Sequence, residues 1–221
     1  MKFKVKILSS VLVSLFVLLT FVRIYKISDI SMNYSLIDGD LVIVENFSAG
    51  VHIPSFFFYK KGHIFSNEKG ICRGDIMAFK HPLDNRLYLK RVTALPGDRI
   101  FQENKNFFLQ IGSDQNKTAA FAKEHNMKLA KKRGRLWLVN PYGRFYNTGH
   151  TDEVIGPKEL INYPETVMPQ HKYFFMGDFR DNSTDSRFFG PVEYDNIYYK
   201  VWFIISRSQN LQQMAGINQG L

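Results

Sequence analysis

The sequence predicts a mainly β protein behind an N-terminal membrane anchor, and three observations carry that prediction. Aromatic residues are abundant, with 20 Phe and 11 Tyr in 221 residues, many in short runs bounded by Gly, Pro, Asn and Asp. That is the pattern of strands punctuated by turns rather than of a helical bundle. Residues 41–44, 76–79, 87–92, 173–176 and 197–205 have the length and composition of strands. Residues 7–22, by contrast, form an uncharged run too long for a strand. The length suits one well-buried domain with room for a smaller inserted unit.

The apolar run spans about 24 Å at about 1.5 Å per residue, a little short of the ~30 Å hydrocarbon core. Ile24 and Tyr25 can extend the helix if Arg23 snorkels to the headgroups. A cleavable leader is the competing reading, since Lys2, Lys4 and Lys6 precede a short core. The Phe21-Val22-Arg23-Ile24-Tyr25-Lys26 sequence that follows has no small-x-small cleavage site, which favours an uncleaved single-pass anchor. The three early lysines predict an N-terminus inside and the remaining chain outside, although Arg23 and Lys26 partly offset them.

The formal net charge is +9. The densest basic stretch, residues 128–135, holds Lys128, Lys131, Lys132, Arg133 and Arg135, with no nucleic-acid-binding motif beside it. It reads as a solvated basic face, with anionic lipid as the next reading and nucleic acid set aside. The single cysteine, Cys72, excludes an intramolecular disulfide and a Cys-cluster metal site, and reads as a small buried side chain before a strand. The six histidines lie far apart, so no metal and no cofactor is expected.

Taken in order, residues 1–26 form the cytoplasmic tip and anchor, and residues 27–100 the first part of a core. Residues 41–44 read as a strand buried on both faces, after the turn Asp38-Gly39-Asp40. The aromatic residues of 47–54 and 56–59 read equally well as a groove wall dipping toward the membrane or as an ordinary hairpin. Arg73-Gly74-Asp75 turns into the strand at 76–79. In the strand at 87–92, Tyr88, Lys90 and Val92 share one face. A lysine so placed is commonly at a sheet edge; the other reading is a partly buried amine. Residues 101–168 read as an inserted non-catalytic subdomain, with a helix around 118–130 and turns at Asn140-Pro141, Tyr142-Gly143 and Gly156-Pro157. Residues 169–207 complete the core, and 208–221 form a tail with no second membrane span.

Three stretches carry chemistry. The first is Ile30-Ser31-Met32 with Gly39-Asp40, just beyond the anchor. The second is Lys90-Arg91-Val92 with Pro96-Gly97-Asp98. The third is Gly177-Asp178-Phe179-Arg180-Asp181-Asn182-Ser183-Thr184-Asp185-Ser186-Arg187. No Ser-His-Asp arrangement is evident, but a Ser–Lys pair is a recognised alternative. A lysine with its ordinary pKa of about 10.4 is protonated and useless as a base. Desolvation disfavours its charged form and lowers that value toward the working range of a base.

In order, spacing and preceding anchor, these stretches, with Arg73-Gly74-Asp75-Ile76, resemble the type I signal peptidases, membrane-bound serine–lysine proteases. The resemblance covers residues 1–100 and 167–205. It implies an antiparallel-sheet catalytic domain, with Ser31 attacking the scissile carbonyl and Lys90 taking its proton. Ser183 would orient the Lys90 amine, and Asp185 and Arg187 would form a structural ion pair. Asp178 and Met32 would position the site. Ile30, Met32, Leu89 and the 47–54 stretch would line the substrate pocket, and the Ser31 N–H would be an oxyanion donor. The implied substrates are secretory preproteins with small residues before the cut. The implied location is the bacterial inner membrane, with the catalytic domain on the outer, periplasmic side.

Tyr34, Ser35, Ala94 and Phe179 depart from the family pattern, as does Asp29. The family usually has Ser or Gly two residues before the nucleophile, and a carboxylate there opposes a developing oxyanion. Rival readings are a specialised maturation peptidase of a conjugation or secretion system, an inactive signal-sequence-binding paralogue, and a cytosolic self-cleaving repressor. The anchor and the lack of a DNA-binding motif speak against the last.

Overall fold

A computed structural model describes residues 9, 10, 12, 14, 21–33, 35–53, 62–142 and 157–206. Tyr34, the aromatic residues 56–59, the tail at 208–221 and the turn residues Gly143 and Gly156 lie outside them. So does most of the apolar run at 7–22. Among the described residues no helix is long and apolar enough to cross a membrane.

The protein is mainly β. Its strands are β1 (Val22–Lys26), β2 (Leu41–Glu45), β3 (Gly50–Ile53), β4 (Gly62–Ser66), β5 (Ile76–Lys80), β6 (Leu87–Ala94) and β7 (Arg99–Glu103). After these come β8 (Asn106–Gln110), β9 (Leu129–Lys132), β10 (Arg135–Val139), β11 (Tyr163–Val167), β12 (Lys172–Met176), β13 (Val192–Glu193) and β14 (Ile197–Ser206). The α-helices whose bounds lie among the described residues are short: α1 (Gln115–Glu124), α2 (Lys158–Ile161) and α3 (Ser186–Phe189).

One antiparallel sheet runs β1-β2-β14-β5-β6-β12-β13 and a second runs β11-β7-β8-β10-β9, while β3 and β4 form a separate hairpin. The two larger sheets share a core. Ala94, Phe174 and Met176 of the first pack with Ile100, Phe107, Leu109 and Leu138 of the second, all fully buried. A second cluster around Met77, Phe79, Val92 and Phe175 lies within the first sheet, and a third, of Ile27, Met32, Leu36, Val42 and Val44, lies under the Ser31 loop.

Several local expectations are corrected. Ile24 and Tyr25 do not extend a helix: Val22–Lys26 pairs residue for residue with β2, because β2 offers a free edge for the chain to join. Leu41 faces solvent while Val42 and Val44 are buried, so β2 alternates instead of being covered on both faces. The predicted helix at 118–130 begins at Gln115, where the Asp114 carboxylate caps the N–H groups of Asn116 and Lys117, and ends at Glu124. Leu129 onward is strand. Cys72 is exposed, because the Arg73-Gly74 turn carries it off the core before β5 begins.

The basic stretch forms the β9–β10 hairpin. Lys132 and Arg133 pair with Glu103, Arg133 and Arg135 with Glu165, and the Arg133 guanidinium lies 4.1 Å from the Phe101 ring centroid. Much of its charge is therefore spent within the second sheet.

Candidate active site

Ser31 sits on a tight turn between β1 and β2. Asn33 N–H donates to the Ile30 carbonyl and Leu36 N–H to the Met32 carbonyl. The stem is clamped by Ile27 N–H to the Asp40 carbonyl (2.8 Å) and Gly39 N–H to the Ile27 carbonyl (2.8 Å). Gly39 meets this closure with φ at +89°, a region open to glycine. The buried Asp40 carboxylate accepts from Ile37 N–H. Met32 points down into the apolar cluster beneath, so hydrophobic packing anchors the turn that presents Ser31.

Lys90 lies on β6, a central strand flanked by β5 and β12, and its side chain is 3% exposed. The edge-strand reading is thus overturned: β6 is a central strand, and the lysine is enclosed where the Ser31 turn and the Tyr88 ring lie against its amine. Its Nζ is 2.5 Å from Ser31 Oγ, 3.1 Å from the Leu89 carbonyl and 5.5 Å from the Tyr88 ring centroid. Burial pushes the Lys90 pKa down, and Asp29, Asp185 and Asp178 push partly back.

The third stretch wraps the other side of the pair. Phe179 N–H donates to the Ser31 carbonyl at 2.9 Å, a main-chain bond indifferent to the Phe179 side chain. Asp178, fully buried, receives both arms of Arg91, at 2.8 and 2.6 Å. Arg91 also donates to Ser35 Oγ and to the Gly74 carbonyl. One guanidinium therefore ties together the nucleophile turn, the lysine strand and the C-terminal loop. Sequence reasoning quoted Arg91 beside Lys90 but gave it no role; in a strand it faces opposite to Lys90, and only the folded sheet shows what lies there.

Asp185 and Arg187 form a bidentate pair at 2.8 Å on each arm, with side chains 0% and 2% exposed. Asp185 also accepts from Gly177 N–H, and Arg187 donates to the Arg180 carbonyl. Despite the upward push of complete burial, Arg187 beside it holds the Asp185 carboxyl below its ordinary value.

Ser183 is buried, and its Oγ makes no hydrogen bond of proper geometry to Lys90. The expected Ser183–Lys90 bond is absent, since the amine's contacts run instead to Ser31, Leu89 and Asp29. Ser183 does press against Gly177: a Cβ there would fall 2.5 Å from Ser183 Cβ and 2.7 Å from the Ser31 carbonyl oxygen. Gly177→Ala is accordingly expected to displace the nucleophile turn and cut preprotein cleavage by at least about tenfold, while a shift of only 1 Å already costs about 10²-fold in some enzymes. Cleavage assays on the purified variant check this.

A cavity of about 400 Å³ opens over the pair, lined by Ser31, Met32, Leu89, Lys90, Tyr88, Val42, Val44 and Ala78 among others. Met32 and Leu89 line it as expected. Ile30 and the described part of 47–53 do not. Ile30 is 41% exposed because the turn directs it outward, and the 50–53 segment is engaged in the β3–β4 hairpin.

Asp29 reaches into the site. Its Oδ2 accepts the Ser31 hydroxyl at 2.6 Å and lies 3.6 Å from Lys90 Nζ, while Oδ1 lies 3.3 Å from Ser31 N. Partial burial raises the Asp29 pKa, but the Ser31 hydrogen bond and the Lys90 charge outweigh it and keep the carboxyl below its ordinary value. No cluster of His, Cys, Asp or Glu among the described residues has the arrangement of a metal site.

The family model described as "Signal peptidase, peptidase S26" matches residues 1–206. The chain is 28% identical over 228 residues to the signal peptidase I of Helicobacter pylori strain J99, covering 88% of this chain and 78% of that protein. It is 30% identical over 233 residues to the signal peptidase I of Buchnera aphidicola subsp. Baizongia pistaciae, covering 88% and 73%. A crystal structure of a signal peptidase I from Enterococcus faecalis V583 is 22% identical and covers 62% of this chain and 97% of that one; its TM-score of 0.30 is too low to bear on the fold.

The sequence match defines a serine protease of the hydrolase class. The chain belongs to the signal peptidase family, peptidase S26. Its activity is the removal of signal peptides.

Proposed function

We propose that Ser31 is the nucleophile and Lys90 the general base of this peptidase, acting on secretory preproteins at small residues. The observation that supports this most is the 2.5 Å approach of Lys90 Nζ to Ser31 Oγ with the lysine almost wholly buried. A buried amine loses its proton more readily, and a neutral amine within hydrogen-bond reach can accept the serine proton as the carbonyl is attacked. The proton then passes to the leaving amine, and the acyl-enzyme is hydrolysed by water with Lys90 again as base. The Ser31 N–H would donate to the oxyanion once it is free. Asp178–Arg91 and Asp185–Arg187 hold this geometry without touching the reacting atoms.

The enzyme acts at a membrane surface, held by an anchor in the apolar run that precedes β1, with its N-terminus inside and the catalytic domain outside the bacterial inner membrane. Surface apolarity supports this reading. Where the chain enters β1, the Phe21 carbonyl accepts from Asn46 N–H, and the adjoining Phe47 meets Trp202 edge-on at 6.2 Å. A register shift in β14 between Val201 and Phe203 brings Trp202 and Phe203 out side by side, each 52% exposed. Half-exposed aromatics grouped where an apolar segment leaves the domain suit the headgroup layer. In vesicle-reconstituted protein, shallow brominated lipid is expected to quench the emission of Trp202, while Trp137, fully buried, does not respond. Trp202→Ser should abolish the quenching and leave cleavage of a short soluble peptide unchanged, and no quenching in the wild type would count against a membrane role for this patch.

The deciding experiment incubates detergent-solubilised protein with a preprotein and sequences the product end. Cleavage after a small residue, absent in Ser31→Ala, is the expected result. Binding of the preprotein without cleavage would favour the inactive signal-binding reading. The Asp29 contacts favour a second reading, a peptidase specialised for few substrates, which a panel of preproteins in the same assay would separate from a general one.

A further inference from the structure

We propose that Asp29 is a displaceable latch on the catalytic pair, occupying the oxyanion donor and holding the counter-charge of Lys90 until a substrate chain pushes it aside. The proposal rests on the reading of Ser31 as nucleophile and Lys90 as base, and it adds a residue the usual serine–lysine arrangement lacks.

The order of protons at the site carries the argument. A carboxylate only accepts hydrogen bonds, so the 2.6 Å contact fixes the Ser31 hydroxyl as donor to Asp29. Ser31 Oγ must then be acceptor to Lys90 in their 2.5 Å contact. That is the reverse of what attack requires, where the serine proton must point at a neutral amine. In the same pose Asp29 Oδ1 lies 3.3 Å from Ser31 N, in the space a developing oxyanion would need. The resting site is therefore closed in two respects by one carboxylate.

Exposure shows which partner moves. Asp29 is 63% exposed and Lys90 3% exposed, so the carboxylate can turn into solvent while the amine stays enclosed by the sheet. The other charged and titratable groups facing the site are Tyr25, Lys26, Arg86 and Tyr88, which line the cavity, and Asp178 and Asp185 behind Lys90. Tyr88 OH is bonded to Asp84. Asp178 and Asp185 already hold Arg91 and Arg187. Among the described residues, Asp29 is thus the carboxylate in direct contact with the Lys90 amine.

Displacement completes the cycle. A substrate carbonyl takes the Ser31 N–H and expels Asp29. The Lys90 ammonium, now buried without that counter-charge, releases one proton to solvent. The freed Ser31 hydroxyl turns to the neutral amine, gives it the proton and bonds to the carbonyl carbon.

The latch predicts a split between two pH profiles. The acid limb of kcat/KM reports the free enzyme and that of kcat the bound complex. Asp29 is present beside Lys90 only in the first, where it holds the amine protonated to higher pH. Asp29→Asn is expected to move the kcat/KM limb down by about one pH unit, a roughly tenfold gain on that limb, with the kcat limb unmoved. Asp29→Ala, which also vacates the Ser31 N–H, is expected to lower KM as well. Unmoved kcat/KM limbs in both variants, or a large fall in kcat in both, would overturn the latch. Lys90→Ala placed in the wild-type and Asp29→Asn backgrounds should be inactive in each; cleavage by either would instead overturn the underlying pair.

Discussion

Lys90→Met is expected to lower kcat/KM on a preprotein by at least about a thousandfold, since it removes the base and keeps the bulk. The same change should leave the protein as stable as before or slightly more so. A thioether costs nothing to bury, whereas an amine 3% exposed must be desolvated. Its neighbour Asp29 is exposed enough to be solvated alone. Losing activity while keeping the melting temperature distinguishes a base from a packing residue. Cleavage kinetics and a thermal melt on one preparation test this, and a variant that retains a tenth of the activity would remove Lys90 from the mechanism.

Asp185→Ala is the second large effect, and it acts on stability first. It leaves the Arg187 guanidinium buried without its partner and the Gly177 N–H without its acceptor. Breaking a buried pair from one side costs about 3–5 kcal/mol, which for a chain of this size lowers the melting temperature by on the order of 10 °C. Because Gly177 and Phe179 lie against Ser31, cleavage should fall as well. Asp185→Ala with Arg187→Met, which removes both charges, should recover part of the stability; no recovery would mean that the pair is not what holds the loop.

The pH dependence of that effect has a definite sign. The native Asp185 carboxyl lies below its unfolded value, so its stabilisation is complete above about pH 4 and is lost as pH falls through the lower native value. The stability gap between wild type and Asp185→Asn should accordingly be constant near neutrality and shrink in acid. Urea melts from pH 7 down to pH 3 would show it, and a gap that widens in acid would contradict the assignment.

Much of the protein was legible before folding. Aromatic runs between turn residues marked the β class, and the turns at Gly39 and Gly74 did lie at positive φ. Asp185 and Arg187 sit two residues apart in a polar loop, and their pairing is local enough to be read from the chain. Ile24 and Tyr25 were misread because an apolar pair next to a long apolar run fits a helix as well as a strand. The choice fell to β2, whose edge could pair with them. Ser183 makes no bond to Lys90, because hydrogen-bond reach depends on loop geometry, which residue order does not encode.

Residue order and chemistry alone marked Ser31, Lys90 and the 177–187 loop, because a family's spacing and the pKa problem of a lysine base are properties of the chain. Burial of Lys90, the Arg91 tie between three segments, and the turn of Asp29 onto Ser31 were decided by tertiary structure. Each depends on which strands become neighbours and which face they cover. A lysine in a strand is an edge residue until another strand pairs beyond it. In this protein β12 does so, and the same closure brings the Asp178 carboxylate to Arg91.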